Sequence, residues 1–196
     1  MEALPVKFSQ TTLTELMIPS YANFGGKIHG GILLSLMDKV AYACASKHAG
    51  AYCVTVSVDE VEFLQPVEVG ELVHFKASVN FVGNTSLVVG IQVTAENVKN
   101  HSIKHTNTSY FTMVAKDDDE KPTQVPPLIL EDMDQIRRFI EAIKRKNLKF
   151  ESKKAMKQVK SNFILVEDFP LLKDQRCETR LTKEGGDWEN LFAENN

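Results

Sequence analysis

The chain has 196 residues, 43% of them hydrophobic and 25% charged, which supplies a sizeable core for one generous domain or one domain with an appendage and excludes disordered, collagen-like and disulfide-scaffold classes. The formal net charge of -3 is a sum of unlike parts: residues 1–130 carry -4, residues 131–160 carry +5 and residues 161–196 carry -4. Any anion-binding role therefore has to start from the middle segment or from a local site, not from the average.

The N-terminal stretch MEALPVKFSQTTLTELMIP has an acidic residue at position 2 and no continuous apolar run, a pattern unlike a signal peptide. Within it, Thr11 to Ile18 is expected as a first strand ended by Pro19. The uncharged stretch Ile28 to Met37 is ten residues and is broken by glycine and polar residues, far short of the roughly 20 apolar residues of a membrane span. From Gly30 to His48 the chain is apolar on nearly every face, opened by Gly-Gly and closed by Gly50. That predicts a helix of about five turns wrapped by other structure.

Four β-rich runs follow: Val54–Leu64, Leu72–Val82, Ser86–Glu96 and Ser102–Ala115. In the second, Val73, Phe75, Ala77, Val79 and Phe81 are expected on one face, and His74, Lys76, Ser78 and Asn80 on the other. Turn chemistry lies between the runs at Gln65-Pro66 with Gly70, at Gly83-Asn84 and at Asn97-Val98-Lys99-Asn100. Connections this short pair neighbouring strands antiparallel. One helix against one antiparallel sheet is an α+β arrangement, and a single helix leaves part of such a sheet uncovered, so dimerisation is expected.

The acidic turn Asp117 to Glu120, followed by Pro122, Pro126 and Pro127, marks a boundary. It separates a domain of residues 1–128 from an extension of residues 129–196. Ile136, Phe139, Ile140 and Ile143 then recur at helical spacing, giving an amphipathic helix that runs on into a lysine-rich stretch, Lys144 to Lys160. The acidic tail carries Trp188, Leu191 and Phe192. Three cysteines, Cys44, Cys53 and Cys177, show no metal-like spacing, which suits reduced thiols in a cytoplasmic protein.

The segment from Asn23 to Asp38 carries the chemistry. Asn23 lies in a glycine-bearing loop, Gly30-Gly31 opens the helix, and Asp38 sits two turns inside it among Leu36, Met37 and Val40. Each feature alone has a plain explanation as a turn, a cap or a solvated carboxylate. In combination they say more, because a carboxylate among apolar residues is costly unless it faces a cavity or a partner. The first N–H groups of a helix have no internal partner and lie at the positive end of its dipole, so bare glycines there let a ligand oxygen approach. Such donors make an oxyanion hole.

The segment NFGGKIHGGILLSLMD, then VTVSVDEVEFLQPVEVGE and VGNTS, resembles the hotdog-fold acyl-CoA thioesterases, particularly the cytosolic acyl-CoA hydrolases, over about residues 10 to 128. The resemblance implies a long central helix wrapped by an antiparallel sheet, hydrolysis of fatty acyl-CoA, no cofactor, and a homodimer that assembles further into hexamers. It assigns Asp38 as general base or nucleophile, Asn23 as the residue orienting water or carbonyl, and Gly30 as the backbone oxyanion donor, with Gly31 the next candidate. Asn23 and Asp38 would then act from different chains. Thr55 or Ser57, expected to share strand parity, would line the thioester. Gly83, Asn84, Thr85 and Ser86 would approach the pantetheine or phosphates, although Asn84 stands where some members carry a cation, and Gly25-Gly26-Lys27 also departs from the common loop.

His29 precedes Asp38 by nine residues and is expected to be structural, and Ser35 lacks the Gly-x-Ser-x-Gly setting of a serine hydrolase. Two further readings remain: a hotdog 3-hydroxyacyl-thioester dehydratase, whose His-and-acid motif is not visible, and a non-catalytic acyl-CoA-binding module, which needs no such carboxylate. The basic stretch, with Arg137, Arg138, Arg145 and Lys146, has no aromatic interleaving or nucleic-acid motif. Nucleic acid is therefore not expected as a partner, and without a spanning segment neither is a membrane.

Overall fold

In the computed structural model of the chain, residues 1–179 are described. They divide into a compact unit Met1–Arg145 and a second unit that begins at Lys146. The tail positions Trp188, Leu191 and Phe192 lie outside the described residues.

The first unit contains β1 (Thr11–Leu16), α1 (Gly30–Ala49), β2 (Tyr52–Val58), β3 (Leu72–Val82), β4 (Ser86–Asn97) and β5 (Ser102–Lys116). The five strands form one antiparallel sheet in the order β1-β3-β4-β5-β2. Two-residue strands at Leu4–Pro5 and Leu128–Ile129 pair in parallel and tie the chain's start to the end of the sheet-bearing region. This is the α+β arrangement expected from the order of elements, with α1 against one face of the sheet.

The face of α1 that meets the sheet carries Leu33, Leu36, Met37, Val40, Ala41, Cys44 and Ala45, all buried against Val73, Phe75, Val89, Ile91, Phe111 and Met113. Burying each of the larger side chains contributes about 1.5–3 kcal/mol, so this seam fixes where the helix lies. Gly50 ends α1 in the left-handed region at φ 63, with its N–H on Ser46 O at 2.9 Å, a conformation that only a residue without Cβ adopts at no cost. Within one chain the helix is not wrapped all round. Gly31, Ser35, Asp38, Lys39 and Tyr42 form an exposed stripe along it.

Three irregularities change the faces that simple alternation predicts. In β3 the register slips between Val79 and Phe81, so Phe81 pairs with Val88 and faces outward with it. Its ring packs at 5.1 Å on Phe139 of α2 (Met133–Ser161) instead of joining Val79 in the core. A second slip in β2, between Thr55 and Ser57, puts these two residues on opposite faces. A third, opposite Val93 and Thr94, makes Thr106 the extra residue and buries Thr106 and Asn107 together. Each is a β-bulge, one additional residue that reverses the parity of everything after it.

β2 also ends at Val58, not Leu64. Beyond it Asp59 N–H bonds Tyr110 O and Leu64 N–H bonds Thr106 O. Between those two bonds this segment takes one residue more than β5 does, so the ladder cannot continue in register.

Candidate active site

The loop that carries Asn23 is held by short bridges. Ala22 pairs with Ile28, Lys27 pairs with Glu68, and the Lys27 ammonium also meets the Glu68 carboxylate. Inside this frame Asn23 shapes its own turn: its Oδ1 accepts from the N–H of Gly25 at 2.9 Å and of Lys27 at 3.2 Å. That leaves Nδ2, which makes no hydrogen bond to the described residues, as the atom the loop presents. Asn23 therefore offers a donor, suited to a carbonyl oxygen or to the oxygen of a water.

At the start of α1 the two candidate oxyanion donors part company. His29 is the N-cap, and its Nδ1 accepts from Gly31 N–H at 2.9 Å. The cap requires the tautomer that is bare at Nδ1 and commits the Gly31 donor. Gly30 N–H has no partner among the described residues. A Cβ at Gly31 would stand 3.0 Å from His29 Nδ1, and one at Gly30 would stand 3.2 Å from the Phe63 ring. Phe63 thus packs against the bare Cα of Gly30. It was not singled out from the sequence, where it reads as one more residue of an extended run.

Asp38 lies on the exposed stripe of α1, where its Oδ1 accepts from Thr55 Oγ1 at 2.6 Å. The tight turn at Gly50 brings β2 back along the helix, so residues 17 apart in sequence meet. Thr55 Oγ1 also lies 3.1 Å from Met113 Sδ. A groove of about 330 Å³ opens here, lined by Asp38, Lys39, Tyr42, Tyr52, Cys53, Val54, Thr55 and Met113. Ser57 pairs with the outward-facing Thr112 and so points away from Asp38.

Gly83, Asn84, Thr85 and Ser86 form the tight hairpin between β3 and β4. Gly83 N–H bonds Ser86 O at 2.7 Å, and the carbonyls of Asn84 and Thr85 accept from Val125 N and Ala115 N. The hairpin shares a sheet end with Thr55. Leu87, Met113 and Thr55 stand abreast on three neighbouring strands, which places β4 roughly 10 Å across the sheet from Thr55. The structure does not bring this hairpin into the Asp38 groove.

Groups buried nearby are chemically quiet. Burial pushes the Cys44 thiol up to about 12 and raises that of Cys53 as well, so neither is a ready thiolate. His48 is fully buried with one ring nitrogen on Pro126 O at 3.0 Å, and burial holds its pKa below 6.5. Among the described residues no cluster of His, Cys, Asp and Glu is arranged to hold a metal ion, and no helix is long and apolar enough to cross a membrane.

Comparison with known proteins adds to this geometry. The sequence profile of the thioesterase superfamily matches residues 25–100. Protein VdlD of Helicobacter pylori is 47% identical over 137 residues, 70% of this chain and 78% of its own length. Among solved structures, an apo-hexameric acyl-CoA thioesterase superposes with a TM-score of 0.76 at 32% identity, covering 78% of this chain and 98% of that one. The acyl-CoA hydrolase of Staphylococcus aureus, solved with butyryl coenzyme A and coenzyme A, gives 0.70 at 31% identity over 79% of this chain and 97% of that one. Alanine variants of one asparagine, one aspartate and one threonine of that enzyme have also been solved. Those three positions are spaced by 15 and 17 residues, the spacing of Asn23, Asp38 and Thr55 here.

Proposed function

The chain belongs to the thioesterase superfamily, and within it to the hotdog-fold acyl-CoA thioesterases, and from that premise we propose that it hydrolyses fatty acyl-CoA to the free acid and coenzyme A through Asp38, Asn23 and Gly30. The observation that carries the reading is the Asp38 carboxylate, fixed at one oxygen by Thr55 and open at the other toward a groove. Its free oxygen takes a proton from water as the water oxygen attacks the thioester carbon. The carbonyl electron pair moves onto oxygen, where Gly30 N–H and the Asn23 amide stabilise it. Collapse of the tetrahedral species breaks the C–S bond, and the coenzyme A thiolate leaves as the proton held on Asp38 is passed to it, which restores the carboxylate. Nucleophilic attack by Asp38 itself gives the same products through an anhydride. In a single turnover in ¹⁸O-water, label in the Asp38 side chain would establish the second route, since the first never exchanges an oxygen of that carboxylate.

The reaction belongs to residues 1–128 in this proposal, and it needs two chains. Gly30 and Asp38 stand eight residues apart on one helix, about 12 Å along its axis, and the Gly30 N–H points away from Asp38. A carbonyl held by Gly30 therefore takes its Asp38 from a partner. β2 is a sheet edge with Tyr52, Val56 and Val58 exposed, a flank suited to a second copy. Assembly into hexamers, as in the hexameric relative, is part of the same proposal, as is a cytoplasmic setting, in line with three unpaired cysteines. Thiol release from acyl-CoAs of graded chain length tests the assignment. Asp38→Asn and Asn23→Ala should each lower kcat at least a hundredfold in folded protein, and full turnover in both would reject it.

A further inference from the structure

Beyond Arg145 the helix α2 carries side chains that the proposed reaction leaves without a task. Leu148, Met156 and Val159 fall within an arc of about 80° on the helix surface. All three are exposed, Leu148 and Val159 at 64% each, and Phe163 and Ile164 directly after the helix are exposed as well. Along one flank of this apolar stripe, Lys153, Lys157 and Lys160 fill a second arc of about 60°. Glu151 is the only acidic residue from Lys144 to Lys160.

We infer that residues 146–164 are a peripheral docking element for an anionic lipid surface. An apolar stripe flanked by lysines lies in the plane of a bilayer interface, with the stripe among the upper acyl chains and the ammonium groups at the level of the lipid phosphates. Charge complementarity selects this occupant. A second copy laid antiparallel along the same stripe would set lysine arcs side by side, which is repulsive. A nucleic acid would engage the lysines but has no use for Leu148, Met156 and Val159. The expectation of no membrane partner came from the absence of a spanning segment; a helix that lies on the surface needs none. The inference does not depend on the reaction proposed above.

Flotation of the full-length protein with vesicles tests it, using phosphatidylcholine alone or with about one third phosphatidylglycerol. The protein should float with the anionic vesicles and not with the neutral ones, and at 0.5 M salt most of that binding should be lost. Lys153→Glu/Lys157→Glu/Lys160→Glu should weaken partition by about a hundredfold or more, since each lysine near an anionic surface contributes several-fold. Met156→Ser/Val159→Ser should weaken it at least tenfold by removing the inserted side chains. Both variants should release thiol from a short-chain acyl-CoA at the wild-type rate, because none of the substituted residues is among those that line the groove. Equal partition to neutral and anionic vesicles would overturn the inference. So would unchanged binding in the serine variant, which would leave only a generic polyanion site, and so would a smaller oligomer in that variant with no vesicle binding by the wild type.

Discussion

A site shared between chains makes a quantitative prediction for mixtures of two inactive variants. Helix geometry puts the Gly30 donor about 12 Å from the Asp38 backbone and aims it away, whereas attack requires the reacting atoms within about 3.5 Å. Asn23 belongs with Gly30, because Ala22 and Ile28 bridge across the loop that leads into the helix. Asn23→Ala therefore damages the donor half of a site and Asp38→Asn the base half. When the two variants are unfolded together at equal amounts and refolded, about half of the dimers are mixed. Each mixed dimer holds one site with both defects and one with neither, so the mixture should recover about a quarter of wild-type turnover. Thiol release before and after mixing reads this directly, with two different affinity tags to show that mixed dimers formed. If mixed dimers are present and activity stays at the level of the parents, the two-chain site is wrong, because a site within one chain leaves a defect in every site of the mixture.

Three further outcomes follow from local geometry. Thr55→Val removes the 2.6 Å bond to Asp38 and should lower kcat about tenfold, the worth of one hydrogen bond to a charged group; Thr55→Ser should restore most of it and Ser57→Ala should change little, while equal effects at both positions would contradict the bulge. Burial holds His48 below its ordinary pKa, so on acidification the unfolded chain takes up a proton below about pH 6.5 before the folded one does, and stability should fall from there down through the lowered native pKa. His48→Gln, which keeps a donor for Pro126 O, should flatten that dependence in urea melts between pH 7 and pH 5, and an unchanged slope would refute the assignment. In the native protein a thiol reagent at pH 8 should label Cys177, which is exposed, and spare Cys44 and Cys53 until the chain is unfolded; rapid labelling of three thiols would show that the core around Cys44 is open.

Packing supports the site from below. Met37, at the residue before Asp38, is fully buried and its Sδ lies 3.4 Å from Asn107 Nδ2. Glu71, almost buried, pairs with Lys104 at 2.8 Å and accepts from Glu68 N–H at 2.9 Å. That fixes the loop on which Glu68 and Val67 hold Lys27 and Ile28. The donors and the exposed carboxylate thus rest on buried polar contacts, which keeps their positions from drifting.

What could be read from the chain alone came from period and punctuation. The run from Gly30 to His48, closed by Gly50, specified a helix within one residue of its end, and the strict alternation of Leu72 to Val82 specified β3 at both ends. Asp38 and Asn23 stood out because their types are unusual where they occur. The tertiary structure decided the rest. A bulge adds a residue without leaving a mark in composition, since its place is set by the hydrogen bonds of the neighbouring strand. Hence only pairing with β5 separates Thr55 from Ser57, and only pairing with β4 sends Phe81 outward to Phe139. The choice between Gly30 and Gly31 likewise turned on a contact, the capping of Gly31 N–H by His29. Local sequence determines which residues can serve as donor, base or core; long-range packing determines which of them meet, because side-chain direction depends on register with strands far away in the chain.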